Sequence, residues 1–443
     1  MSANPSAAEQ PKLRRVCAGP GSGKTRQLIE EIRDRVKTGI APETILALTF
    51  TTRAAKEMRE RIGTSGRVPW MGTIHALAYR ILNTLGALKK PVNVATLIPD
   101  AIVQLRAGAE VPWLLKVQYI AVDEAQDLDG SQVEMLQLLV EMTKAEVLLV
   151  GDPDQSIFGF RQASAEYLLH PELIFPHQVE TVTLATNHRS APAIVAAARA
   201  LLSPSADPQS PCHTLTAVRT DTHPTIRWIR EESPEAEAAR IIEEVRTLIA
   251  LGMAPNQIAI LVRIRAQIPV LQAEAARWKI PVYTPPTRDK IEGEAEGPDT
   301  APTTSIQVMT MHQSKGNEFD IVFIAGVQEG MMPYKLARTP KQQQEELRVL
   351  YVAVTRAKLL LWFCCHGAPS RFIVPLERAA LAAQAASLAI AMAPTPVPTT
   401  APAPLMTDGR RATVPVFRPI DKPNPNGGLW TRIKRLFGQQ RVQ

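Results

Sequence analysis

The stretch AGPGSGKT, residues 18–25, decides the fold. Just before it, RVCA (15–18) reads as the end of a buried strand. Just after it, TRQLIEEIRDRV (25–36) reads as an amphipathic helix. A strand, a glycine loop and a helix in this order let backbone N–H groups and a helix N-terminus face phosphate anions. Gly19, Gly21 and Gly23 remove the Cβ atoms that would block close approach. Ala18, Pro20 and Ser22 complete the cradle, Lys24 supplies a point charge to the β/γ-phosphates, and Thr25 offers a hydroxyl to Mg2+. A chance glycine turn would lack the flanking strand and helix. The stretch therefore reads as a nucleoside triphosphate site, which leaves open what the energy drives.

The rest of the chain bounds that use. Its 443 residues suffice for two or three domains. A hydrophobic content of 45% with 21% charged residues is that of an ordinary soluble globular protein. No apolar run is long enough to span a bilayer and the N-terminus has no apolar signal core, so the expected location is the cytoplasm. Cys17, Cys212, Cys364 and Cys365 lack metal-ligand spacing and read as reduced thiols. The net charge of +7 suits a polyanionic partner.

Apolar strand-like runs alternate with amphipathic helices. TILALTF (44–50), YIAVDEA (119–125), EVLLVGD (146–152) and TVTLATN (181–187) form one series with the first strand. TIRWIRE (225–231), QIAILVR (257–263), SIQVMTM (305–311), DIVFIAG (320–326) and LLLWFCC (359–365) form a second. Continuous apolar strands separated by helices indicate parallel sheets covered on both faces. Two α/β sheets with one phosphate loop predict a paired architecture with the nucleotide in the cleft between them. The expected divisions are a first domain over 1–205 with a small helical insertion at about 83–116, and a second over 206–388. A Pro/Ala-rich disordered linker over 389–426 and a basic amphipathic helix over 427–443 follow. The polar stretch 285–304 reads as a surface loop. The terminal helix reads as a docking element for a protein, an anionic surface or DNA, or else as a solvated tail.

Further chemistry sits at strand ends, where a parallel sheet places its site. In VDEAQD (122–127), Asp123 is suited to a Mg2+ shell and Glu124 to polarising an attacking water. In GDPDQSIFGFRQAS (151–164), Gln155 can bond a γ-phosphate or its water, and the aromatic residues beyond it suggest base stacking or core plugs. Arg189 in NHRS and Arg356 in VTRA are candidate phosphate-sensing cations, and an arginine from the second sheet would tie hydrolysis to cleft closure.

The order of these elements resembles the UvrD/Rep-like branch of superfamily 1 helicases, from residue 14 to about 365. AGPGSGKT is similar to that family's motif I, ALTFTTRAAKEMRERI (47–62) to Ia, GTIHALAYRIL (72–82) to Ib and VDEAQD to II. GDPDQSIFGFR (151–161) resembles III, NHRS (187–190) IV, VMTMHQSKGNEFDIVFIAG (308–326) V, and EELRVLYVAVTRAK (345–358) VI. The resemblance implies two RecA-like domains, hydrolysis of ATP with Mg2+ in their cleft, and 3′→5′ movement on single-stranded DNA and its junctions with duplex. It assigns Lys24, Thr25, Asp123, Glu124, Gln155, Arg189 and Arg356 to the ATP site, with Gly316 also among the nucleotide-binding residues, Glu318 at the ribose and His188 at the adenine. It assigns Phe50, Thr73, His75, Phe160, Arg161, Thr310 and His312 to the DNA path.

The chain also departs from the family pattern. His188 stands where a Tyr is usual and Phe160 where a Trp is usual. Gln10 is too near Lys24 to serve as the upstream glutamine motif. The accessory insertions are reduced to 83–116 and 285–304. A helicase is therefore expected, with a translocase or partner-recruiting motor that unwinds little duplex as the alternative.

Overall fold

The computed structural model describes residues 12–379 except 64–65, 160–162, 176–178, 204–205, 221–224 and 287–301. Phe160, Arg161, most of the 285–304 loop, the Pro/Ala-rich linker and the terminal helix thus lie outside the described residues. Two six-stranded sheets organise the rest, and every pairing within them is parallel.

The first sheet holds β1 (Leu13–Ala18), β2 (Ile45–Thr49), β3 (Trp70–Thr73), β4 (Tyr119–Val122), β5 (Glu146–Gly151) and β6 (Val179–Leu184), in the order β3-β2-β4-β5-β1-β6. Strands β2 and β4 are buried along their whole length. That requires cover on both faces and explains their unbroken apolar sequence. Helices α1 (Lys24–Lys37), α2 (Thr52–Ile62), α3 (Ile74–Thr84), α4 (Val94–Arg106) and α5 (Gly130–Thr143) supply the cover. Leu28, Ile29 and Ile32 of α1 pack with Val16, Ala47 and Val150 on one face. On the other, α3, α4 and α5 share one core with Leu48, Ile120 and Leu149. The reduced insertion is thus helical and continuous with the core, a layer of the lobe rather than a separate body. The short helix α6 (Glu166–Leu169) closes this lobe.

Strands β7 (Thr186–Asn187) and β8 (Thr216–Ala217) form a two-stranded parallel pair flanking α7 (Pro192–Leu202) in the chain. The second sheet follows. It contains β9 (Ile226–Arg230), β10 (Ile258–Val262), β11 (Val282–Tyr283), β12 (Ile306–Thr310), β13 (Phe319–Ala325) and β14 (Ala357–Cys365), ordered β11-β12-β10-β13-β14-β9. Helices α8 (Pro234–Ala250) and α9 (Ile268–Arg277) cover one face. The other is covered by α10 (Pro340–Val354) together with α7, whose Ile194, Ala198 and Leu201 pack with Leu261, Phe363 and Val349. All four cysteines are buried free thiols. No helix among the described residues is long and apolar enough to cross a membrane.

Candidate active site

The phosphate-loop sequence leaves β1 at Ala18 and enters α1 at Lys24. Gly21 (φ 66°) and Gly23 (φ 87°) adopt left-handed backbone that side chains disfavour. At Gly21 a Cβ would also meet Asn187 Nδ2 at 2.8 Å and Arg189 Cβ at 2.9 Å. The loop's carbonyls are engaged from its own chain and from the β7 end. Ser22 Oγ donates to Gly19 O (2.7 Å), Asn187 Nδ2 to Pro20 O (2.7 Å) and the His188 N–H to Gly21 O (2.9 Å). No side chain caps α1 among the described residues, so its first amide groups and dipole meet the loop.

Two strand ends converge on Lys24. Its ammonium lies 3.8 Å from Asp152 Oδ2, after β5, and 3.4 Å from Ala18 O. Thr25 Oγ1 donates to Asp123 Oδ2, after β4, at 3.2 Å. Asp123 is buried. Burial, reinforced by the charge of Glu124 and opposed by Lys24, raises its carboxyl to about 7. Glu124, in left-handed backbone (φ 55°), titrates below the ordinary range. Burial opposes this, but the charges of Lys24, Lys315 and Arg356 and a 2.5 Å bond from Gln126 Nε2 prevail.

The second lobe reaches this cluster through buried cations. Gln155 Nε2 donates to Asp152 Oδ2 (2.6 Å), while its Oε1 accepts from Arg356 Nη2 (3.1 Å). Arg356 is anchored on its own lobe, Nε to Val352 O (3.0 Å) and Nη1 to Asn317 O (3.1 Å). Burial, with the neighbouring Arg189, lowers it to about 9. Lys315 pairs with both oxygens of Asp127 (2.5 and 2.7 Å) and with Gln155 O (2.6 Å). A continuous chain of contacts thus runs from Lys24 through Asp152 and Gln155 to Arg356.

Arg189 bonds Glu318 (3.0 Å) and Thr355 O (2.9 Å), and Lys358 also pairs with Glu318 (2.8 Å). His188 is exposed beside the loop, and Gly316 (φ 82°) has open space where a Cβ would sit. The residues expected on a DNA path are more dispersed. Phe50 stacks on Phe158 (5.6 Å between ring centres), and Lys315 lies 4.9 Å over Phe158. Thr73 is buried and its hydroxyl accepts the Ala76 N–H, capping α3, whereas His75 is half-buried. Thr310 bonds Gln313, and burial lowers His312 to about 4.

Sequence reasoning gave no role to Lys315, Asp127, Asn187 or Gln126. Asn187 joins the two ends of this network, accepting from the Arg189 and Ser190 N–H groups while donating to Pro20 O. Gln126 accepts the Asp152 N–H (3.0 Å) while donating to Glu124. The available signal was that Asp127, Gln126 and Lys315 lie inside strings already singled out.

Paired parallel sheets with a phosphate loop on one lobe and a buried arginine from the other define a two-lobed RecA-like P-loop NTPase architecture. Residues 3–161 match an AAA domain family profile, and residues 182–286 and 292–367 match the UvrD-like helicase C-terminal domain. The chain is 28% identical over 356 aligned residues to the ATP-dependent DNA helicase PcrA of Staphylococcus epidermidis, covering 61% of this chain and 48% of that protein. The PcrA of Staphylococcus aureus is 27% identical with the same coverage. The chain belongs to the UvrD/Rep-like superfamily 1 helicase family. It spans about half the length of the curated relatives it matches.

Proposed function

We propose that this chain is an ATP-dependent DNA motor that hydrolyses ATP between its lobes and moves 3′→5′ along single-stranded DNA. The observation that carries this reading is the Lys24–Asp152–Gln155–Arg356 chain, which joins the phosphate loop to a cation of the second lobe. In this reading residues 18–25 cradle the phosphates and Lys24 neutralises the β/γ oxygens. Glu124, held ionised by its cationic neighbours, orients and deprotonates the attacking water. Gln155, Arg189 and Arg356 face the γ-phosphate, so developing charge draws the lobes together. Glu318 and Gly316 meet the ribose and His188 the base.

The donor set fits Mg2+: Thr25 and Asp123 offer a hydroxyl and a carboxylate oxygen already within 3.2 Å of each other. A hard cation that takes few protein oxygens suits this pair. When bound, Mg2+ supplies charge neutralisation at the phosphates.

Phe50, Thr73, His75, Thr310 and His312, with Phe160 and Arg161, would contact the strand. The reduced accessory insertions at 83–116 and 285–304 favour translocation with little duplex unwinding as a second reading.

The test is the ATPase rate with single-stranded DNA, single-stranded RNA or duplex. Stimulation by the first alone supports the reading. Lys24→Ala should abolish hydrolysis and retain DNA binding; hydrolysis persisting in that variant refutes the assignment. Strand-displacement assays run beside streptavidin-displacement assays separate unwinding from translocation.

A further inference from the structure

The segment between α7 and β9 is tied to the first lobe at the two elements that carry the phosphate loop and Gln155. Ser210 Oγ donates to Asp154 Oδ2, and Asp154 is the residue before Gln155 in the same short turn. Ser210 and Asp154 are both buried. One residue earlier, Gln209 Oε1 accepts from Arg15 Nη2 at 2.9 Å, and Arg15 lies on β1, the strand that leads into the loop. Arg15 is itself buried and donates to the carbonyls of Leu168 and Leu169.

Further along, Leu215 lies under the loop, where a Cβ on Gly19 would meet its Cδ1 at 2.8 Å. The Thr216 and Val218 N–H groups bond Ala185 O and Asn187 O (2.8 and 2.9 Å), and Asn187 holds Pro20. Between these anchors, Cys212 is fully buried in the core of the second lobe with Leu261 and Phe363. The segment therefore touches both the phosphate-loop strand and the Gln155 turn on one lobe and is packed into the other. A buried polar contact of this kind has few alternative partners and transmits displacement rather than absorbing it.

We propose that Ser210 is a positioning residue. Through its bond to Asp154, the segment 209–219 follows the turn that bears Gln155 and passes nucleotide-driven movement to the second lobe. This rests on the reading of the cleft as an ATP site. Burial and the charge of Asp152 raise Asp154 to about 7, as expected for a carboxyl that the protein holds in apolar surroundings for its hydrogen bond.

The test compares the full wild-type chain with Ser210→Ala and Asp154→Ala. Both lose the bond, but only Ser210→Ala also loses the cap that Ser210 Oγ gives the Cys212 N–H. Dyes on Glu60→Cys and Glu235→Cys, exposed on opposite lobes, report the interlobe distance with and without a non-hydrolysable ATP analogue. Oligothymidylate affinity is measured in parallel.

Both variants should bind the analogue within about twofold of wild type, yet lose about fivefold of the nucleotide effect on DNA affinity and most of the distance change. Responses equal to wild type in either variant overturn the proposal, as does a wild-type chain in which the bound analogue moves neither reading. A loss confined to Ser210→Ala assigns the residue to capping alone and also overturns it. Failure of the ATP reading is distinguishable: the wild-type chain would neither bind nor hydrolyse ATP.

Discussion

Arg356→Ala is the sharpest perturbation of the cleft. Arg356 is 3% exposed and its guanidinium serves four acceptors: Val352 O, Asn317 O, Gln155 Oε1 and Thr355 Oγ1. Three of these belong to its own lobe, so truncation has a structural cost separable from the catalytic one. At about 1 kcal/mol net per bond, the own-lobe contacts predict a stability loss of about 3 kcal/mol. The bond to Gln155 crosses the cleft. If it marks where transition-state charge is met, its loss lowers kcat about 100- to 1000-fold, with ATP KM changing by less than about threefold. Arg356→Lys keeps the charge but cannot span the same fork, so it should recover less than about a tenth of the rate. Gln155→Ala measured alone and with Arg356→Ala closes a double-mutant cycle, and a coupling of about 1–3 kcal/mol is expected. The assay is steady-state ATPase with saturating single-stranded DNA, on protein whose folding is checked by urea titration. A kcat within about threefold of wild type in a folded Arg356→Ala protein, or additivity with Gln155→Ala, would refute the interlobe assignment.

Three other outcomes follow from the same geometry. Gly21→Ala forces a side chain into left-handed backbone and against Asn187, so binding of a fluorescent ATP analogue should weaken at least about tenfold without unfolding the protein. Lys315→Met leaves the Asp127 carboxylate buried without its ion pair and should cost about 3–5 kcal/mol in urea unfolding, most of it recovered by adding Asp127→Asn. His312, lowered to about 4 by burial and the charge of Arg263, binds its proton in the unfolded chain near pH 6.5 but not in the folded one. At this site the unfolded state gains its proton first as pH falls, so from pH 7 to 5 wild type should lose about 2 kcal/mol relative to His312→Gln. The difference between the two proteins is the readout, because the raised Asp123 and Asp154 carboxyls take up protons in the folded state and contribute with the opposite sign to both.

Much of this architecture is legible along the chain because it depends on local periodicity. The long buried strands of both sheets lie within a few residues of their apolar runs, since a strand covered on both faces has no polar alternation to blur it. The edge strands β3 and β11 behave differently. Trp70–Thr73 is four residues long, contains Gly72 beneath the Trp70 ring, and carries too little pattern to be read. Helix α4 contains Pro99, a breaker by its local chemistry, yet Leu97, Ile98, Ala101, Ile102 and Leu105 bury a common face that holds it together. Helix α7 precedes the polar stretch that reads as the boundary, but its apolar face joins the core of the second sheet. Nothing local distinguishes one sheet from the other as its partner. The Lys315–Asp127 pair is separated by 188 residues, and only the fold brings the two groups together.

The electrostatics of the cleft explain why its occupancy could move the lobes. Each cation assigned to the phosphates already has a partner within the chain: Lys24 has Asp152, Arg189 has Glu318, and Arg356 has Gln155. A triphosphate entering there exchanges partners rather than meeting bare charge, so its net affinity is the difference between two satisfied arrangements. Two of the three exchanges alter groups that also tie the lobes together, because Gln155 and Arg356 sit on opposite sides of the cleft and Arg189 bonds both Glu318 and Thr355 O. Binding energy is therefore unequal between lobe arrangements, which is the condition for a ligand to shift their populations. The raised Asp123 carboxyl adds a second dependence, since it must lose its proton to hold a cation beside Thr25. Nucleotide and divalent ion should accordingly bind with positive coupling. Calorimetric titration of ATP with and without Mg2+ measures that coupling, and equal affinities in the two titrations would leave the partner-exchange account without its driving force.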